Sequence, residues 1–277
     1  MRNWALRISV GLVLCGGAPV ASAEICALPP GERAVVSSAV DGETLALDDG
    51  REVRLLGVQA PAPPPDWEGP DPWPFAAQAK QALAAQVEGA TVELRFDTRR
   101  QDRHGHVLAH VFLDRDGKQV WVQEALVAKG LARVAALPDL GACLGHLLAV
   151  EARARTDRRG LWHSLTYQVR DAHDPKRLGH LRHTYQLVEG TVHGIGEGRK
   201  LVYVNFAEDW RSDFTVTITR KRLPVMEAAG LDLASLPGKR IRVRGWVEWW
   251  NGPMIAISHP EEIEVLDAPS SSSLDAG

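Results

Sequence analysis

Ala39-Val40-Asp41-Gly42-Glu43-Thr44-Leu45-Ala46-Leu47, followed by Val53-Arg54-Leu55-Leu56-Gly57-Val58, decides how this chain of 277 residues is read. Thr44 to Leu47 run out of the turn Asp41-Gly42. Asp49-Gly50 is a second turn dipeptide between two apolar-rich runs, a strong hairpin signal. The stretch therefore predicts a strand, a tight turn and two more strands. Glu43 starts one strand and Arg54 lies in the next. A carboxylate and a guanidinium on neighbouring strands can face one cleft, the first to hold a cation and the second to clamp a phosphate.

Downstream, Pro61 to Pro74 is too proline-rich for regular structure, because proline fixes φ and removes a donor. Phe75 to Val87 has helical spacing and stops before Gly89. Thr91 to Phe96 and Val107 to Leu113 alternate as strands around the polar turn Thr98 to Gly105. Val120 to Lys129 reads as a helix closed by Gly130. Leu140 to Arg159 reads as a third helix, Arg-rich late, where cations suit the helix dipole.

Residues 1–23 read as a signal peptide. Arg2 and Arg7 are its basic start, Ile8 to Val20 its apolar run and Ala21-Ser22-Ala23 its cleavage site. The apolar run is too short to span a membrane, and the mature chain shows no membrane-spanning segment. The expectation is an exported protein, periplasmic or secreted. That leaves Cys26 and Cys143, and export favours a disulfide between them over two buried thiols. The formal charge is −3, and removing the segment with Arg2 and Arg7 makes it more negative by two. Such a chain is not a general polyanion binder, so any nucleic-acid contact must be local.

Residues 164–182 read as a polar linker. Beyond it, Tyr185 to Ile195, Lys200 to Phe206 and Asp213 to Thr219 alternate as strands, Arg220 to Gly230 is a short helix, and Arg240 to Trp249 and Met254 to Val265 are two more strands. Three strands, a helix and two strands is the order of an oligonucleotide/oligosaccharide-binding (OB) barrel. The domain reading is thus 24–163, a linker 164–182, an OB-like unit 183–267 and a disordered tail 268–277.

The opening stretch, with Asp102-Arg103-His104-Gly105, Leu108-Ala109, Val122 to Leu126, Gly130 to Val134 and Glu151-Ala152 through Gly160-Leu161-Trp162, resembles the staphylococcal nuclease (thermonuclease) family over roughly residues 33–163. The second block resembles, more weakly, OB-like modules that follow some bacterial domains of this kind. The resemblance implies a mainly β fold with α (α+β): an OB barrel with three helices, then a second small OB-like barrel. It implies hydrolysis of DNA or RNA with one Ca2+ held by two aspartates and a carbonyl, a glutamate base and two arginines on the phosphate.

Carried over by position, the first aspartate falls on Glu43 and the first arginine on Arg54, which is retained. The second aspartate falls on Gln59, the carbonyl-bearing threonine on Ala60, the base on Ala62 and the second arginine on His106. Metal ligation would then rest on Glu43 with Asp41, and any Ca2+ would be weakly held. A missing base costs about 10²–10⁴ in rate, and a missing charge donor about 10²–10³. The expectation is a degenerate active site that binds nucleic acid or a partner. One alternative is a divalent-metal phosphodiesterase rebuilt around Glu43, Arg54 and His106, aided by Asp41, Asp66 or Glu68. Another is a cell-envelope structural or assembly protein with an envelope partner. His104, His106 and His110 could form a zinc-type cluster or be surface histidines. Arg99, Arg100 and Arg103 could contact phosphate or be a solvated turn. In the second block, Trp249 or its neighbour Trp250 should be exposed and able to stack a base. Lys239, Arg240, Arg242 and Arg244 alternate along one strand face, although basic and acidic residues of this block balance. Substrate, partner and oligomeric state are not legible in the sequence.

Overall fold

Strand β1 (Glu32–Ala39) bends so that its two halves serve different neighbours. Residues 32–35 pair with β5 and residues 36–39 with β2, with a register irregularity between Val36 and Ser38. The chain is described here from a computed structural model covering residues 26–65 and 67–266. The expected signal segment 1–23, Asp66 and the expected tail 268–277 lie outside the described residues. The first half continues with β2 (Thr44–Leu47), β3 (Glu52–Leu55), β4 (Val58–Gln59), α1 (Ala76–Val87), β5 (Thr91–Arg95), β6 (Val107–Arg115), β7 (Lys118–Trp121), α2 (Val122–Ala128), β8 (Arg133–Val134) and α3 (Leu144–Thr156).

The order β3-β2-β1-β5-β6 closes on itself through the parallel pair β3–β6, giving a five-stranded barrel. Leu45, Leu47, Val53 and Leu55 point inward on alternate positions and are almost fully buried, with Val92, Leu94 and Val111 opposite. The second half holds β9 (Arg170–Asp171), α4 (Pro175–Gly179), β10 (Tyr185–Thr191), β11 (Gly194–Glu197), β12 (Leu201–Asn205), β13 (Thr215–Thr219), α5 (Leu223–Ala228), β14 (Arg240–Trp249), β15 (Pro253–Ile257) and β16 (Ile263–Val265). Here β10 pairs with β14 and β11 with β12, so these two act as one strand broken at Val192-His193. The parallel pair β13–β15 supplies the link matching β3–β6. The order of the first barrel is thus repeated, with α5 where α1 stands.

Four sequence expectations are adjusted. The helix expected over 120–129 begins at Val122, because Lys118 to Trp121 form a hairpin strand with β6. The helix expected over 140–159 is shorter at both ends. Cys143 at its start has φ 66°, outside the helical region. The stretch read as a linker carries β9, parallel to β10, and α4, whose Leu178 joins the second core. The run Met254 to Val265 is split by the turn Pro260–Glu262 into β15 and β16. The disulfide Cys26–Cys143 is present, with Cα atoms 5.3 Å apart, and ties the N-terminal segment to the start of α3. No helix among the described residues is long and apolar enough to cross a membrane.

The two barrels meet over a third apolar cluster that includes Ala154, Leu161, Trp162, Tyr167, Tyr185 and Leu187. Tyr185 Oη donates to the Val134 carbonyl at 3.0 Å, and Tyr167 Oη to the Pro74 carbonyl at 2.8 Å. At the centre, Arg244 of β14 reaches Glu151 of α3 at 2.8 Å, with both side chains almost fully excluded from solvent.

Candidate functional site

Glu43 sits where the Asp41 turn meets β2. Its own N–H donates to Asp41 Oδ1 at 2.8 Å, which fixes the turn. Arg54 faces it from β3, through the register Thr44↔Arg54. The third component arrives through Gly57, whose φ of 81° turns the chain from β3 into β4. A Cβ there would stand 2.9 Å from Leu147 Cδ1, so the position demands glycine twice over. β4 then pairs with β8, Gln59 opposite Arg133, and delivers Gln59 and Ala60 to Glu43.

The resulting geometry is that of an acceptor being satisfied. Glu43 Oε2 accepts from the Ala60 N–H at 2.6 Å. Its Oε1 accepts from Gln59 Nε2 and from Arg54 Nη2, each at 3.3 Å. Gln59 Nε2 also lies 3.4 Å from the Ala60 carbonyl, the oxygen expected to act as a backbone ligand. A hard dication in this position would meet N–H groups where it needs lone pairs. The donor set does not fit Ca2+, and among the described residues no group of three or more His, Cys, Asp or Glu side chains is arranged to hold a metal ion. Of the pair expected to hold metal, Asp41 Oδ1 is engaged by the Glu43 N–H, and both Glu43 oxygens are engaged by donors.

Burial pushes the Glu43 carboxyl up to about 7, against the pull of Arg54 and the Ala60 N–H. The native state therefore holds a proton between pH 4.5 and about 7 that the unfolded chain has lost. Stability should fall as pH rises through that window, by about 3 kcal/mol in all. Glu43→Gln should flatten this part of a urea-midpoint profile. An unchanged slope in the variant would mean that Glu43 is not the group responsible.

His106, expected to stand in place of the second arginine, is held on both sides. Its Nδ1 lies 2.8 Å from Asp102 Oδ2 and its Nε2 3.2 Å from Glu52 Oε2. It flanks Arg54 along β3 but is already paired with carboxylates, which weakens the acid role expected of it. The three histidines do not converge. His104 Nε2 accepts from Arg103 Nε at 2.9 Å. His110 is buried edge-on against Trp121, and burial pushes it down to about 4. Of the proposed compensating acids, Glu68 is exposed on the Pro-rich loop.

Two features of the site are set by tertiary structure. Arg133 lies buried between the rings of Tyr167 and Tyr185, at 5.0 and 5.1 Å, and donates to the Tyr185 carbonyl. Burial lowers its pKa, while the tyrosines, Glu151 and Glu43 favour its charge. The sequence signal was a lone cation in the apolar run Ala132 to Val134. The second feature is the roof. A cleft of about 140 Å³ runs between the barrels, with Arg54 and Gln59 on one wall and Trp246, Glu248 and Glu262 on the other. Ala62, expected to stand in place of the base, lines a neighbouring crevice with Trp73, Arg133, Tyr167 and Trp246.

The family model described as Staphylococcal nuclease homologue matches residues 52–164. These residues hold most of the first barrel and the three helices packed on it. This barrel is thus similar to the staphylococcal nuclease family over residues 52–164. The chain is 31% identical over 99 residues to a thermonuclease of Staphylococcus hyicus, a match spanning 34% of this chain and 54% of that protein. It is 28% identical over 152 residues to an uncharacterized protein of Methanocaldococcus jannaschii, MJ1439, spanning 46% of this chain and 70% of that one. The chain thus spans about half the length of the thermonuclease it matches.

Outside the nuclease-like cleft, Arg99, Arg100 and Arg103 are exposed on the β5–β6 turn. The Leu108 N–H donates to the Arg100 carbonyl, and Leu108 stands opposite Arg54, so this basic turn adjoins the strand pair that carries Arg54. The basic strand face of the second barrel is not available in the same way. Arg240 and Arg242 pair with Glu189, Arg242 and Arg244 with Glu264, and Arg244 with Glu151. Arg242, expected to contact nucleic acid, has its guanidinium enclosed by two carboxylates. Trp249 packs on α4 at Gly179, and the more exposed ring is Trp250 at 73%.

Proposed function

We infer that this chain is an exported nucleic-acid-binding protein whose nuclease-like barrel no longer hydrolyses. One observation carries the reading: the Glu43 carboxylate, which should hold metal, is instead saturated by the Ala60 N–H, the Gln59 amide and Arg54. Ala62 offers no base, His106 is enclosed by Asp102 and Glu52, and the second barrel roofs the cleft. The exposed Arg99, Arg100 and Arg103 supply the local basic surface that a chain of net charge −3 needs for phosphate contact. The relative's name, thermonuclease, makes nucleic acid the natural ligand class. Export is supported by the disulfide, which belongs to oxidising compartments, and by the signal-like residues 1–23.

A second reading, a rebuilt phosphodiesterase, rests on Glu43 itself. A buried carboxyl titrating near 7 beside an arginine in a cleft is a group able to move protons. Binding is tested by fluorescence anisotropy of labelled single-stranded DNA and RNA 12-mers with EDTA present. Binding should weaken with salt. Replacing Arg99, Arg100 and Arg103 together by Ala should make the log–log salt slope shallower by about 2. No binding at low salt, or a slope unchanged in the triple variant, would contradict the assignment.

A further inference from the structure

The outer face of the second barrel presents a groove unlike the rest of the molecule. Two rows of side chains cross β11, β12, β13 and β15 in register. One is Gly196, Tyr203, Thr217 and Ala256, and the next is Gly194, Asn205, Thr215 and Met254. None of the eight is charged. Trp210 rises on one side from the β12–β13 loop, and Trp250 and Asn251 on the other from the β14–β15 turn, enclosing about 310 Å³. Trp210 is 50% and Trp250 73% exposed, large rings left in water beside a concave floor.

The floor is built for a polar ligand. Among the described residues, the Tyr203 hydroxyl, the Asn205 amide, the Thr217 hydroxyl and the Asn251 amide have no hydrogen-bond partner in the protein. A Cβ at Gly194 would meet nothing within 4 Å, and one at Gly196 would stand 3.4 Å from Asn205 Nδ2. Glycine inside a strand weakens it and marks a place where something else approaches the backbone. The charged groups at the rim are engaged by neighbours. Glu197 is held by Arg220, and Arg211 is stacked on Trp210 at 4.5 Å.

We propose that this groove binds a neutral glycan chain. Exposed indole rings offer flat apolar platforms for the C–H faces of pyranose rings. The amide and hydroxyl groups between them match sugar hydroxyls, which donate and accept alike. A nucleic-acid strand would bring a phosphate per residue to a floor with no lysine or arginine on it, whereas single-strand binders line their grooves with cations. A proline-rich peptide would bring carbonyl acceptors and leave the acceptors of Asn205 and Asn251 unmatched. This groove shares no lining residue with the basic turn of the first barrel.

Isothermal titration of the mature chain with 1,4-linked N-acetylglucosamine tetramer and with cellotetraose tests this. Saturable binding of at least one, with Kd of ~1 mM or tighter, is expected. Trp250→Ala and Asn205→Ala should each weaken it about tenfold. Gly196→Phe, which fills the floor, should abolish it. Unchanged thermal unfolding of Trp250→Ala, whose ring stands in solvent, keeps folding out of the comparison. No saturable heat with either saccharide, or unchanged affinity in Trp250→Ala, overturns the proposal. So does a thymidine 12-mer, or a proline-rich peptide, that displaces the saccharide and loses affinity in the same variant.

Discussion

Arg244→Ala will destabilise the protein by about 3–5 kcal/mol, one of the two largest losses expected here. Arg244 and Glu151 come from different barrels and are both shut away from water. Glu151 also accepts the Val134 N–H at 2.7 Å, and Arg244 donates to the Val134 carbonyl at 3.3 Å. Burial alone would lower the Arg244 pKa, but Glu151, Tyr185 and Glu264 hold it above its ordinary value. Without the guanidinium, Glu151 keeps Arg155 at 3.5 Å as its cation, too long for a strong charge-assisted bond. Removing both partners, as in Arg244→Met with Glu151→Leu, should recover much of the loss, because neither member of the fully buried pair is then left without its counter-charge. A urea midpoint for Arg244→Ala equal to that of the parent would show that the pair does not hold the barrels together.

Loss of the Cys26–Cys143 bridge is the other. It closes a loop across a sequence separation of 117, so chain entropy alone assigns it about 5 kcal/mol. Cys26 is also buried in the first core, and the Leu28 carbonyl beyond it lies 3.5 Å from Arg95 Nη1. Freed of the bridge, the N-terminal segment can detach. Cys26→Ser should lower the urea midpoint by this amount and leave the variant indifferent to reductant, while the parent falls to meet it. A variant within about 1 kcal/mol of the parent would mean that the segment is held by its packing alone.

The barrels were legible in the sequence because strand periodicity is local. Leu45, Leu47, Val53 and Leu55 alternate, and Asp49-Gly50 marks their turn whatever surrounds them. Val120-Trp121-Val122 was ambiguous for the opposite reason: a short apolar run suits a strand end or a helix start, and pairing with β6 decides it. The disulfide was legible by counting, since setting aside the expected signal segment leaves two of the three cysteines. At the candidate site, departures from the expected groups could be read from Gln59, Ala62 and His106. What replaced them could not. That Glu43 turns into the Ala60 N–H depends on β4 pairing with β8, a contact across more than seventy residues. The alternating Arg240, Arg242 and Arg244 looked like a binding stripe because their partners Glu189, Glu151 and Glu264 come from other elements.

Under the proposed function, the Glu43 pocket is a structural joint that no longer hydrolyses. Incubating the purified mature chain with single-stranded DNA and RNA in Ca2+, Mg2+, Mn2+ or EDTA tests that claim most directly. The account predicts intact substrate in every tube. Metal-dependent cleavage that disappears in Glu43→Ala and Arg54→Ala would contradict it.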